Sequence, residues 1–401
     1  MRPFCGPRRH RFCAADNRGM ALLVTLAIIT VLVTAGLELN RRMRAAIHAA
    51  AATRDRFVAE QLAVSGIHAA MALLVKDKLE TRADSIQEDW AIPEKRQEAL
   101  LETPFEEGRI ALEITDEGAR IQLNALVAHP GGQEFNPEQE MLLDRFLRPI
   151  ISEFETLESK DPVFEELNLT ATIIASLKDW IDSGDDDAIT GLSGAESDYY
   201  ESLDPPYRAR NAPLVEIEEL LRVKGMSPDL FNGLGDLPGI ADFLTVHGSP
   251  ATAESRTGYD GKININTAEL PVLRALLPAE SGELAEAIVD YRLQADNETF
   301  LHDLSSADWY QAVPGLAGIA LAPQLITVTS DLFRIRSTGN LREVQTTVSA
   351  VVRREKSPAT GRWHCKILSW RINWDIKSWI STDHRRPELV RESRPGMQPN
   401  E

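Results

Sequence analysis

From Met20 to Leu37 the chain reads MALLVTLAIITVLVTAGL, eighteen residues without a charge. A helix crosses a bilayer in about 17–25 apolar residues, so this run is long enough. Ahead of it Arg2, Arg8, Arg9, Arg11 and Arg18 outnumber a single acid, Asp16. A secretory signal fits poorly, because its apolar region runs about 7–15 residues and ends at a small-residue cleavage site. Here the small residue, Gly19, stands before the apolar run. A signal anchor fits better and keeps the Arg-rich leader in the cytoplasm, although Arg41, Arg42 and Arg44 crowd the far side too. From Glu38 to Lys78 there is no proline, and good helix formers abound. Phe57, Gln61, Val64, His68 and Met71 recur at steps of three and four and mark an expected packing face. Met20–Lys78 reads as one helix of about 88 Å, with Gly36 and Gly66 as weak points.

Beyond the helix, Asp77–Glu107 is polar and expected to hold a helix or two and a linker. The period then changes to two. Arg109–Thr115 and Ala119–Asn124 alternate around Asp116-Glu117-Gly118, which predicts a β-hairpin. The next two hundred residues give helical windows at Glu138–Phe154, Leu169–Ile181, Leu214–Val223, Leu270–Leu277 and Gly282–Leu293. Strand pattern returns at Leu325–Thr329, Leu332–Ser337, Glu343–Arg353 and Trp363–Arg371. Early and late strands around a helical block predict an α+β protein with one sheet interrupted by an insertion.

Composition narrows the function. The 401 residues are 43% hydrophobic and 26% charged, as in a globular protein of two or three compact units. Net charge is −18 (43 basic, 61 acidic), which argues against a general nucleic-acid binder. Of three cysteines, Cys5 and Cys13 lie in the leader, leaving Cys365 without an intrachain partner and no Cys-based zinc site. The eight histidines form no HExxH and no close pair, and neither GxSxG nor GxxxxGK[ST] occurs. An enzyme is not expected.

The sequence Arg18-Gly19-Met20-Ala21-Leu22-Leu23 resembles the leader of type IV pilins and type II secretion pseudopilins. The resemblance implies that a prepilin peptidase cuts between Gly19 and Met20 and that Met20 becomes N-methylated. The mature chain would carry net charge −22. Most relatives have glutamate at the fifth mature position, where it meets the amine of a neighbouring subunit. Here that position is Val24. An unpaired charge in lipid is costly, so a subunit lacking this acid suits the tip, with nothing beyond it. That absence resembles the K-type minor pseudopilins. So does the ordered series Asp179-Trp180-Ile181-Asp182, Gly194-Ala195-Glu196, Tyr199-Tyr200, Pro206-Tyr207, Asn211-Ala212-Pro213, Lys224-Gly225-Met226 and Ile263-Asn264-Ile265-Asn266-Thr267-Ala268.

The resemblance implies a pilin-like α/β core split by a large all-helical insertion with helix-hairpin-helix or SAM-like units. The expected boundaries are 1–19 for the cleaved leader, 20–37 for the transmembrane part and 38–78 for its helical continuation. The core would take 79–124 and 325–381, the insertion 125–324, and a disordered tail 382–401. Expected partners are the I-type and J-type minor pseudopilins, the major pseudopilin, prepilin peptidase and the inner-membrane assembly platform. The bulk of the chain would be periplasmic and nucleic acid no partner. The same leader also fits a type IV pilus minor pilin, and a membrane-anchored DNA-uptake receptor is a more distant alternative.

Two segments bear on chemistry. Asp182-Ser183-Gly184-Asp185-Asp186-Asp187, followed by Glu196 and Asp198, clusters carboxylates around a glycine turn and suits Ca²⁺, which takes six to eight oxygens. A solvated acidic loop has the same composition, and the spacing is not that of an EF-hand. The resemblance implies calcium, with Asp182, Asp185, Asp187, Glu196 and Asp198 as the ligand set. Asn264–Ala268 leading into two helical windows resembles half of a helix-hairpin-helix, with Asn266 or Thr267 expected to cap the first helix. Its connector carries Glu280 and Glu283 where a phosphate would sit.

Overall fold

The computed structural model describes residues 18–101, 107–128, 132–158, 168–184, 189–248, 259–297 and 299–374. The leader residues 1–17 and the proposed tail 382–401 lie outside them. Two compact units divide the chain, Met1–Val58 and Ala59–Glu401. Helix α1 (Arg18–Glu80) contributes to both.

In the first unit the large apolar side chains from Met20 to Leu39 are exposed. The Thr25, Thr30 and Thr34 hydroxyls donate to carbonyls three or four residues earlier. Each side-chain donor is thereby satisfied within the helix, as hydrocarbon surroundings demand.

In the second unit α1 packs on a sheet. Its strands are β1 (Arg109–Asp116), β2 (Leu332–Leu341), β3 (Val344–Lys356) and β4 (Trp363–Trp374), all antiparallel in the order β1-β2-β3-β4. Period-two alternation sends Ile114, Phe333, Ile335, Val348, Ala350 and Val352 to one face, where Ala63, Ile67, Ala70, Leu74 and Trp90 meet them. The face of α1 that packs coincides with the expected one only at Val64 and Met71, which are half-buried against the sheet core. Phe57 is 61% exposed and Gln61 and His68 are exposed, whereas Ala59, Leu62, Ala63, Gly66, Ile67 and Ala70 are buried. Small residues win because the backbones approach closely. A Cβ on Gly66 would lie 2.1 Å from Ser337 Oγ, and one on Gly339 would lie 2.0 Å from the Ala59 carbonyl oxygen. Gly66 is a packing residue of a continuous helix.

Helix α2 (Pro93–Leu101) precedes β1. Between β1 and β2 runs a mainly helical block with α3 (Pro137–Glu158), α4 (Leu169–Ile181), α5 (Ser197–Glu201), α6 (Pro228–Asn232), α7 (Leu270–Leu276) and α8 (Ala285–Leu293). It has its own core, including Leu142, Phe146, Ile173, Leu177, Trp180, Phe243, Leu273 and Ile288. Asn168 caps α4 by accepting from Ala171 N–H, and Ser227 caps α6 by accepting from Leu230 N–H, with Pro228 opening that helix. The block is not purely helical. Ile121–Gln122 pairs in parallel with Leu244–Thr245, and Ile263–Asn264 pairs in parallel with Ile326–Thr327.

Those pairings correct the expected hairpin. Strand β1 forms over the alternating residues, but Ala119–Asn124 does not return along it; β2 takes that place. The cause is polar. Asp116 accepts from Gly118 N–H at 2.7 Å and closes a 3₁₀ turn, and its other oxygen takes Asn264 Nδ2 (2.8 Å) and Thr267 Oγ1 (2.6 Å). Buried Glu117 takes two bonds from Arg334 and one from Thr245 Oγ1. These bonds tie the turn to the helical block and to β2. The expected cap of α7 is corrected for the same reason. Glu269 occupies the N-cap position without a side-chain bond, while Thr267 is held by Asp116. Asn266 is buried, donates to the Asp84 and Leu304 carbonyls and accepts from Trp309 Nε1.

Candidate metal centre

The end of α4 and the chain after it bring three carboxylates together. Asp179, Asp182 and Glu196 are buried, and one oxygen of each lies within 4.8 Å of the others. Asp179 and Asp182 are one helical turn apart, so both reach the same side of the C-terminus of α4. Asp179 organises the loop beyond the helix. It accepts from Thr190 N–H at 3.2 and 3.1 Å to its two oxygens and from Ala195 N–H at 2.9 Å. The loop 190–195 is thereby wrapped around one carboxylate. Gly194 makes that possible, since a Cβ there would lie 2.1 Å from Asp179 Oδ2. Glu196 comes directly after this loop.

One cation is already present. Lys178 Nζ lies 2.7 Å from Asp182 Oδ2, 4.0 Å from Asp179 Oδ1 and 5.7 Å from the centroid of the Phe135 ring. Burial pushes the Asp182 carboxyl up, against the pull of Lys178 and the Gly184 N–H. Three buried carboxylates meet here, with Lys178 beside two of them and Lys224 on the loop carbonyls of Ser193 and Gly194. Three carboxylate oxygens within 4.8 Å of one another make an all-oxygen donor set, which is that of a hard ion. The residues present therefore fit a hard divalent cation.

Of the residues expected as ligands, Asp182 and Glu196 are in this group. Asp185 and Asp187 lie outside the described residues. Asp198 is not in the group: the register of α5 buries Ser197 and Tyr200 and turns Asp198 to solvent. Asp179 was missing from the expected set, though its position one turn before Asp182 was a signal. The scattered motifs of the sequence also converge here. Trp180 makes edge contacts with Tyr200 and Tyr207, and Lys224 Nζ donates to the Ser193 and Gly194 carbonyls.

A second trio went unnoticed in the sequence. Asp77 from α1 and Asp84 and Glu88 from the following loop also bring one oxygen each within 4.8 Å. Arg354 on β3 fills this one. Its Nη1 lies 2.9 Å from Asp77 Oδ2, and its Nη2 donates to Asp84 Oδ1 and, at 2.6 Å, to the Ser330 carbonyl. Lys78 Nζ adds a contact to Asp84 at 3.6 Å. Burial, with Glu88 and Asp84 nearby, still pushes the Asp77 carboxyl up to about 7. The missed signal was the parity of β3, in which Arg354 follows Val348, Ala350 and Val352 on the inward side. Gly19 and Met20 lie exposed in the first turn of α1. Cys365 is half-buried, and burial pushes its thiol up to about 11, away from reactivity.

Comparison with known proteins agrees with this architecture. The family model described as type II secretion system, protein K, matches residues 119–237, the stretch that contains the carboxylate loop. Type II secretion system protein K of Klebsiella pneumoniae is 28% identical over 269 residues, 66% of this chain and 71% of that protein. The protein of the same name from Pseudomonas aeruginosa is 28% identical over 287 residues, 69% and 72% of the respective chains. Among solved structures, a chain of the GspK-GspI-GspJ complex from enterotoxigenic Escherichia coli matches with TM-score 0.54 and 19% identity, over 81% of this chain and 99% of that chain. The fold is that of the solved chain, and one N-terminal helix is long and apolar enough to cross a membrane. By sequence the chain is similar to type II secretion system protein K over two thirds of its length, and these relatives support a minor pseudopilin of that system.

Proposed function

We propose that this minor pseudopilin sits at the tip of the type II secretion pseudopilus and supports its assembly and the export of folded proteins. Val24 carries the tip position. Without an acid at the fifth residue after Gly19, the chain has nothing to offer the amine of a subunit beyond it. Prepilin peptidase cuts between Gly19 and Met20 and Met20 is N-methylated. The apolar part of α1 stays in the inner membrane until the assembly platform extracts it to bundle with the major pseudopilin, and the rest is periplasmic. I-type and J-type minor pseudopilins are the immediate partners; the similar solved chain comes from a GspK-GspI-GspJ complex, which supports this choice. The role is structural, not enzymatic. Helices α7 and α8, joined through Ala279–Leu284, serve as a helix-hairpin-helix unit for packing, with Glu280 and Glu283 at the place where a DNA-binding version would meet phosphate.

Calcium is the proposed ion, held by Asp179, Asp182 and Glu196 with Asp185 and Asp187 of the adjoining segment. It would bridge these carboxylates and fasten the loop 190–195 to α4. The test of the tip role is to mix the chain from Arg44 onward with I-type and J-type pseudopilins in calcium and weigh the product by light scattering. A stable 1:1:1 complex is expected; three separate species would overturn the assignment. A Gly19 variant with a bulky side chain is expected to remain unprocessed in cells.

A further inference from the structure

The sheet has two edges, and they are finished differently. At the β1 edge, Arg96 of α2 donates its Nε to the Leu112 carbonyl at 3.2 Å, while its Nη1 holds the Trp90 and Ala91 carbonyls. A guanidinium thus occupies a backbone acceptor that another strand would need. At the β4 edge, no strand, helix or side chain among the described residues bonds to the outer backbone. The strand is long and rich in strand-forming residues, WHCKILSWRINW, without proline. An open edge of this kind is a template for another chain.

A bulge at Leu368 divides it: Val352 pairs with Ile367 and Val351 with Ser369. The two halves differ in charge. In the second, Arg371 is already paired with Glu216 and Glu218. Around the first, Trp363–Ile367, stand Arg353, Lys356, Arg362 and Lys366, with Glu355 the one acid between Arg353 and Ile367. His364 Nε2 lies 3.5 Å from that Glu355, and Ile367 is 39% exposed. This is a locally basic edge on a chain of net charge −18.

We propose that the Trp363–Ile367 edge of β4 accepts an extended, acidic segment of a partner protein as a fifth strand. Backbone hydrogen bonds give the affinity, and carboxylates at alternate positions meet Lys366 and Arg362. Two other occupants fit less well. A second copy in antiparallel register would set these bases against themselves, and like charges across a pair repel. The chain's own residues after Trp374 carry five acids and five bases, so they offer no matching charge.

The test uses the full chain in lipid nanodiscs and a short capped peptide of alternating glutamate and valine, with a lysine-valine twin as control. Backbone amide exchange is read by mass spectrometry. Exchange across Trp363–Ile367 is expected to slow about tenfold with the acidic peptide and not with its twin. Lys366→Glu together with Arg362→Glu, both on the surface, is expected to abolish the acidic peptide's protection. Equal protection by both peptides, protection at β1 instead, no protection, or indifference to the double charge reversal would each overturn the proposal.

Discussion

Two trios of carboxylates, each drawn within 4.8 Å, sit in the two cores of the second unit and are finished in opposite ways. Asp77, Asp84 and Glu88 close around Arg354, whose guanidinium binds two of the acids and two backbone carbonyls. Asp179 and Asp182 have the Lys178 ammonium beside them, while Asp179 spends its oxygens on the backbone of the loop 190–195. The first trio is filled by a side chain the fold supplies; the second gathers around backbone N–H groups and an ammonium, and is the one proposed above to take a cation. Carboxylate proximity alone therefore does not mark a metal centre. The number and position of the positive groups decide it.

The sharpest break of this comparison is Arg354→Met. Removing the centre of a buried ion cluster strands its acids, and a loss of about 3–5 kcal/mol is expected in denaturant unfolding of the chain. A loss below about 1 kcal/mol would mean that Lys78 and water suffice, and the contrast between the trios would fall. Calcium comes next. At a concentration a hundred times its Kd it should stabilise the wild-type chain by about 2.7 kcal/mol, seen as a rise in Tm. Asp182→Asn should remove that rise, while Glu88→Gln should leave it intact. If Glu88→Gln removed it instead, the roles of the trios would be reversed.

Gly194→Ala probes the loop that wraps Asp179. The new methyl collides with Asp179 Oδ2 and with the Thr190 backbone, so about 1–3 kcal/mol of stability should be lost, together with calcium response. Unchanged stability would show that the loop has room the structure denies it. The smallest effect is on pH. The folded-state pKa of Asp77 stands near 7, above its ordinary 3.8, so the folded chain holds a proton the unfolded one has released. The associated stability is fully present below about pH 4 and is lost as pH rises through 7. Partial solvent screening makes this of order 1 kcal/mol, and Asp77→Asn should flatten it in a series of Tm measurements.

How much the sequence discloses depends on the range of the interaction. Strands β2, β3 and β4 were legible because alternation is written residue by residue, and α4 was found at Leu169–Ile181 because its cap and its apolar face are local. The partner of β1 was not legible. It depends on Asp116 being held by Asn264 and Thr267, about 150 residues away in sequence. The packing face of α1 was legible only at Val64 and Met71, because it centres on Gly66 and alanines, whose lack of bulk admits the sheet backbone. Half of the carboxylate site was visible as an acidic run. The other half, Asp179, stands in the Asp179-Trp180-Ile181-Asp182 motif, but its role depends on the loop 190–195 folding over it.

The Arg354 cluster also has a mechanical meaning. Arg354 grips the Leu74 carbonyl and Asp77 near the C-terminal end of α1, and it is itself part of a strand flanked on both sides. A pull along α1 is therefore passed sideways into β3 and shared across the β2 and β4 ladders, instead of falling on the short loop after Glu80. Were the helix drawn out as proposed above, the lifetime under force would be set by the unfolding rate of the sheet that Arg354 ties to it.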